Sequence, residues 1–123
     1  MHSILVIDDE QPFREAMRFT LEEEGYAVFD AENGRAGIDI YRQSPTDLII
    51  TDIVMPEYEG METILALKRE FPEARIIAMS GRQQTGPASF LGMAEKLGAG
   101  HTLTKPFRRA ELLSAVRDSL DEN

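Results

Sequence analysis

The chain has 123 residues, 42% of them hydrophobic and 28% charged, a balance that suits one globular domain with a core of ordinary size. It has no cysteine, which excludes disulfides and thiolate metal sites, and its two histidines, His2 and His101, stand too far apart to suggest a histidine-rich zinc site. The net charge of −9, from 22 acidic and 13 basic residues, opposes direct nucleic-acid binding but attracts a hard cation.

No segment approaches the length of a membrane span, and the N-terminus lacks the basic flank and long apolar stretch of a signal peptide. The expectation is a cytoplasmic protein with no membrane contact.

Ile4 to Ile7 form a first apolar run, stopped by Asp8, Asp9 and Glu10. Pro12 then suits the first turn of a helix carrying Phe13, Ala16, Met17, Thr20 and Leu21, with Gly25 as its stop. Ala27 to Phe29 make a short second strand. Asn33-Gly34 is a turn signal that leads into a helix with Ala36, Ile40 and Tyr41 inward.

Leu48, Ile49 and Ile50 form the central run, with no polar alternation, as in a strand buried on both faces. It ends at Asp52, where a rigid strand would hold a nucleophile or metal ligand at its tip. Pro56 forbids further ladder pairing, and Gly60 permits backbone angles closed to other residues. Met61, Ile64, Leu65 and Lys68 then share a helical face, with Phe71 before the stop at Pro72.

Ile76 to Met79 are the fourth apolar run, ending in Ser80-Gly81, and a loop follows from Arg82 to Pro87. A helix with Phe90, Leu91, Ala94 and Leu97 precedes a fifth strand, His101 to Thr104, which ends at Lys105-Pro106. The last helix carries Leu112, Leu113, Val116 and Leu120. Five strands alternating with five helices predict an α/β fold, a doubly wound parallel sheet formed by residues 1–123 as one domain.

In such a sheet ligands bind beyond the C-terminal ends of the strands. There the sequence places Asp8 and Asp9, Asp52, Ser80 and Lys105. Each alone has an ordinary explanation as a cap, a turn former or a solvated rim residue. Jointly they converge on one edge, and close carboxylates require a cation. Magnesium, which takes a few carboxylates plus waters and substrate phosphate, answers that need.

The order Asp8-Asp9, then Asp52-Ile53-Val54-Met55-Pro56 through Gly60, then Ser80-Gly81, then Lys105-Pro106-Phe107, resembles the receiver domain of bacterial two-component response regulators along essentially the whole chain. The resemblance implies a flavodoxin-like fold with strand order 2-1-3-4-5 and no enzyme in the ordinary sense. It implies a signalling phosphoacceptor that promotes its own phosphorylation and dephosphorylation. Asp52 would accept the phosphoryl group. Asp8, Asp9, Asp52 and the backbone carbonyl of Val54 would hold Mg2+, Ser80 would hydrogen-bond the phosphoryl group, and Lys105 would pair with it across a cis bond to Pro106. The implied donor is a phosphohistidine on a histidine kinase or phosphotransfer protein, and the implied target is a downstream protein or an attached output domain.

The chain departs from the family pattern in three places. Thr102 stands where an aromatic switch residue is usual, Ser80 replaces a common threonine, and the Arg82 to Pro87 stretch adds length. With no large ring at Thr102, the switch is expected to run from Ser80 through Arg82 and its loop. Two other readings fit less well. An aspartyl-phosphate phosphatase would want an Asp where Val54 stands, and a flavodoxin-like cofactor module would have its phosphate repelled by Asp8-Asp9-Glu10. A degenerate receiver used only for docking would not need the intact acidic set.

Overall fold

The computed structural model describes residues 1–53, 59–81 and 90–121. Its elements run β1 (Ser3–Ile7), α1 (Gln11–Glu23), β2 (Ala27–Ala31), α2 (Gly34–Gln43), β3 (Leu48–Asp52), α3 (Glu59–Glu70), β4 (Ile76–Ser80), α4 (Phe90–Leu97), β5 (His101–Thr104) and α5 (Arg109–Asp121). The five strands form one parallel sheet in the order β2-β1-β3-β4-β5, as expected.

The unbroken apolar runs of β1, β3 and β4 exist because both faces of the sheet are covered. Successive side chains alternate between two cores. Leu5, Ile7, Ile49 and Ala78 pack with Tyr41, Ile64, Leu67 and Ala94 from α2, α3 and α4. Ile4, Val6, Ile50, Ile77 and Met79 pack with Met17 and Leu21 of α1 and with Leu112, Leu113 and Val116 of α5. Each fully buried Leu or Ile contributes about 1.5–3 kcal/mol of transfer free energy.

The helix ends follow their local chemistry. Asn33 caps α2 by accepting from the Ala36 amide at 2.8 Å. Gly25, at φ +93°, takes the left-handed conformation that closes α1.

The structure corrects several expectations. β2 extends to Ala31, because Asp30 and Ala31 continue the pairing with Val6 and Ile7. α3 is turned slightly from the predicted face: Thr63, Ile64 and Leu67 are buried, while Leu65 and Lys68 lie half-buried at its margin. Ala16 is exposed, and in α5 Ser119 is buried while Leu120 is only partly so.

Gly60 is needed for a reason other than backbone angle, since its φ is not in the left-handed region. A Cβ added there would strike the Cα of Ile53 and lie 2.5 Å from the carbonyl oxygen of Asp52. The first turn of α3 therefore rests directly on the end of β3, which only glycine permits.

Backbone cannot retreat as a side chain can, so Gly60→Ala is expected to cost about 2 kcal/mol or more. Urea denaturation checks this, and an unchanged midpoint would show that α3 can shift off β3 freely.

Candidate functional site

The C-terminal ends of β1, β3 and β4, and the residue after β5, carry the polar residues. Asp8 follows the last residue of β1 and is fully buried. Its amide donates to the Ala31 carbonyl at 3.1 Å, extending the ladder by one step. Its Oδ1 accepts from the Glu10 amide at 2.8 Å, a local Asx turn that fixes the side chain. Its own carbonyl accepts from the Arg14 guanidinium at 2.7 Å. Arg14 and Arg18 are in turn paired with Asp30 of β2 at 3.4 and 3.3 Å.

Asp52 ends β3 at 5% exposure. One cation joins the two carboxylates: the ammonium of Lys105 donates to Asp8 Oδ2 at 2.7 Å and to Asp52 Oδ2 at 3.0 Å. Its side chain is 15% exposed. It also lies 4.0 Å from the ring centroid of Phe13, a cation–π contact, and Phe13 meets Phe107 edge-on with centroids 6.0 Å apart.

Burial alone would lower the pKa of Lys105. Hydrogen bonds to Asp8 and Asp52, with their charges, outweigh it and raise the pKa above the ordinary lysine value. The stabilisation that follows from a raised folded-state pKa is complete below the ordinary value and is lost only as pH climbs through the raised one. At neutral pH the ammonium is charged and the bridge intact.

Ser80 ends β4, fully buried. Its carbonyl accepts from the Lys105 amide at 2.7 Å, so the ends of β4 and β5 are tied at the residue that carries the bridging cation. The Lys105–Pro106 bond is cis, as expected. Thr102 is half-buried in the middle of β5 and pairs with Ala78, away from the acidic cluster. Val54 and Arg82 lie outside the described residues.

Asp8, Asp52 and Lys105 are thus in direct contact, and Ser80 reaches them through backbone. Asp9 joins from the exposed side. Ligand oxygens of Asp8, Asp9 and Glu10 all lie within 4.8 Å of one another. Such a hard, anionic oxygen set at the rim of a buried carboxylate suits a small divalent cation such as Mg2+. The backbone amide of Glu10 fixes Asp8, a role that its sequence position did not suggest.

Sequence reasoning missed two further residues. Phe13 read as ordinary core, since its helical spacing gives no hint that its ring would face an ammonium. Arg14 carried no signal in the sequence, yet from the first turns of α1 it reaches back to the Asp8 carbonyl.

The model of the response regulator receiver domain matches residues 4–117. Among solved structures, a response regulator receiver domain protein from Clostridium thermocellum is 30% identical, with TM-score 0.89 over 98% of this chain and 95% of that one. The response regulator TrrA of Thermotoga maritima, in complex with Mg2+ and BeF, is 31% identical, with TM-score 0.86 over 98% of this chain and 100% of that one. The chemotaxis protein CheY4 of Vibrio cholerae is 28% identical, with TM-score 0.88 over 98% and 99% of the two chains.

Removing the ammonium would leave two buried carboxylates facing each other. Lys105→Met is therefore expected to lose about 3 kcal/mol of stability in EDTA, and to regain part of it when Mg2+ is added. Paired urea melts test this, and equal stability of variant and parent in EDTA would refute the bridge's role.

Proposed function

Because the chain belongs to the response regulator receiver domain family, whose model spans residues 4–117, we propose that Asp52 is the residue that accepts the phosphoryl group. The observation that supports this most is the Lys105 ammonium held between Asp8 and Asp52 at 2.7 and 3.0 Å. It puts a fixed positive charge beside the one carboxylate that ends the central strand.

A carboxylate oxygen of Asp52 attacks phosphorus, and the O–P bond forms as the P–N bond to a phosphohistidine donor breaks. The electron pair leaves on the imidazole. The donor is a histidine kinase or a histidine phosphotransfer protein. Asp52 needs no general base, and positioning with electrostatic neutralisation supplies most of the catalysis. Asp8 and Asp9, with Asp52 and the carbonyl of Val54, would hold Mg2+, which when bound neutralises charge on the transferring group. The same constellation, with water as acceptor, gives the domain a part in its own dephosphorylation.

Once Asp52 is phosphorylated its charge moves outward to the phosphoryl oxygens. Lys105 then exchanges a carboxylate partner for a dianion, and the Ser80 hydroxyl turns toward it. The 2.7 Å bond from the Lys105 amide to the Ser80 carbonyl supports a coupled response of the ends of β4 and β5. Thr102 is too small to act as a swinging ring, so the readout runs from Ser80 into the loop that begins at Arg82. The surface so altered serves a downstream protein or an attached output domain, in the cytoplasm. Among the described residues no helix is long and apolar enough to cross a membrane.

Incubation with acetyl phosphate and Mg2+ is expected to add one acid-labile phosphoryl group per chain by intact mass, and none in Asp52→Asn or in EDTA. Incorporation that survives in that variant would assign the chemistry elsewhere.

Val54 offers no hydrogen bond to orient a hydrolytic water, so the phosphorylated state should be long-lived. Val54→Asn is expected to shorten it severalfold when phosphate release is followed in time. Unchanged or slower release would remove Val54 from the hydrolytic path.

A further inference from the structure

An ammonium has three protons to place, and on Lys105 two of them go to Asp8 Oδ2 at 2.7 Å and Asp52 Oδ2 at 3.0 Å. The third is left for the face of Phe13, whose ring centroid lies 4.0 Å from Nζ. Phe13 reaches that place from the first turn of α1. The Glu10 amide donates to Asp8 Oδ1 at 2.8 Å, and the chain turns there, so that the third residue of the helix comes back over the strand ends.

Core packing alone does not account for the ring. Phe13 is only half-buried, and with Ala16, Met17, Phe107 and Leu112 it lines an open cleft of about 190 Å³ between α1 and α5. A leucine would supply the same apolar contact with the core beneath it. What a leucine lacks is a π face, which attracts a cation. The edge-to-face meeting with Phe107, at 85° between planes, sets the tilt of the ring from the segment that follows Lys105.

We propose that Phe13 is a positioning residue for phosphoryl transfer, holding the Lys105 ammonium at the point where the phosphoryl oxygens arrive. The role rests on the reading of Asp52 as phosphoacceptor, and Phe13 acts through the ammonium rather than on the reacting atoms. As the carboxylate of Asp52 becomes bonded to phosphorus, Lys105 gives up its contact with Asp52 Oδ2 and takes a phosphoryl oxygen instead. During that exchange Asp8 and the ring are what remain to the ammonium. One attachment would let it swing about the end of its own stem, whereas two keep it where the new charge develops. The ring therefore matters more in the transition state than in the resting site, which is the condition for an effect on rate.

The test replaces Phe13 in the full chain by difluoro- and pentafluorophenylalanine, which keep the shape of the ring while draining and then reversing the negative charge on its face. Labelling of Asp52 by acetyl phosphate and Mg2+ is followed in time by intact mass, beside Tm. The rate is expected to fall stepwise with fluorination, about tenfold at the pentafluoro ring, with Tm nearly unchanged. Phe13→Leu should be slowed as much, and Phe13→Tyr should restore most of the rate. In the unphosphorylated chain, the Lys105 methylene and ammonium protons should be shifted upfield by the ring and return toward ordinary lysine values in Phe13→Leu. Equal rates across the fluorinated series, full rate in Phe13→Leu, or Lys105 protons that the ring does not shift would overturn the proposal and leave Phe13 a packing residue. Absence of labelling in the parent would instead sink the phosphoacceptor reading, and this role with it, so the two failures are told apart by the parent chain.

Discussion

Two carboxylates that are almost wholly out of water, Asp8 and Asp52, share one ammonium. Most of the upper edge of the molecule is arranged to make that contact tolerable. Buried like charges repel, and an ion that has lost its hydration must recover it from partners. Asp8 recovers it from the Glu10 amide and from Lys105. Lys105 recovers it from both carboxylates and from the face of Phe13. Among the described residues, the side facing Asp9 and Glu10 is acidic and exposed, which is where a further cation would enter.

The rest of the fold acts as a clamp on this contact. The ladder fixes β3 between β1 and β4, with Thr51 opposite Ile7 and Asp52 opposite Met79. α3 lies hard on the carbonyl of Asp52 through Gly60. Arg14 holds the Asp8 carbonyl and is itself held by Asp30 on the edge strand. The Asp52 carboxylate is thus placed by strand, helix and ion pair together, with little left to its own rotamer freedom.

The sheet was legible because apolar runs without alternation have few other uses in a chain of this length. The site was legible for a related reason: Asp8 and Ser80 are the residues at which such a run stops, Asp52 comes one residue beyond the end of another, and Lys105 follows the last residue of the fifth strand. Lateral contacts were not legible. Phe13 shows the same helical spacing whether its ring meets aliphatic carbon or an ammonium. The role of Gly60 depends on a distance between α3 and β3 that no local pattern encodes. Leu67 replaced Lys68 on the inner face of α3 because a small rotation about a helix axis, set by the packing of Ile64, moves marginal positions in or out.

The alternation of β3 between two filled cores sets a limit on how this chain can diverge. Substitutions that keep side-chain volume leave the strand tip where it is, and loops at either end of the sheet can lengthen without disturbing it. Loss or gain of one residue inside Leu48–Asp52 is different in kind. It exchanges every inward side chain for its neighbour, sends Ile49 and Ile50 to each other's core, and turns the terminal carboxylate away from Lys105. Length variation is therefore excluded from the strands and confined to the connections, so the spacing between Leu48 and Asp52 is a stricter signature of this site than the identity of any apolar residue between them.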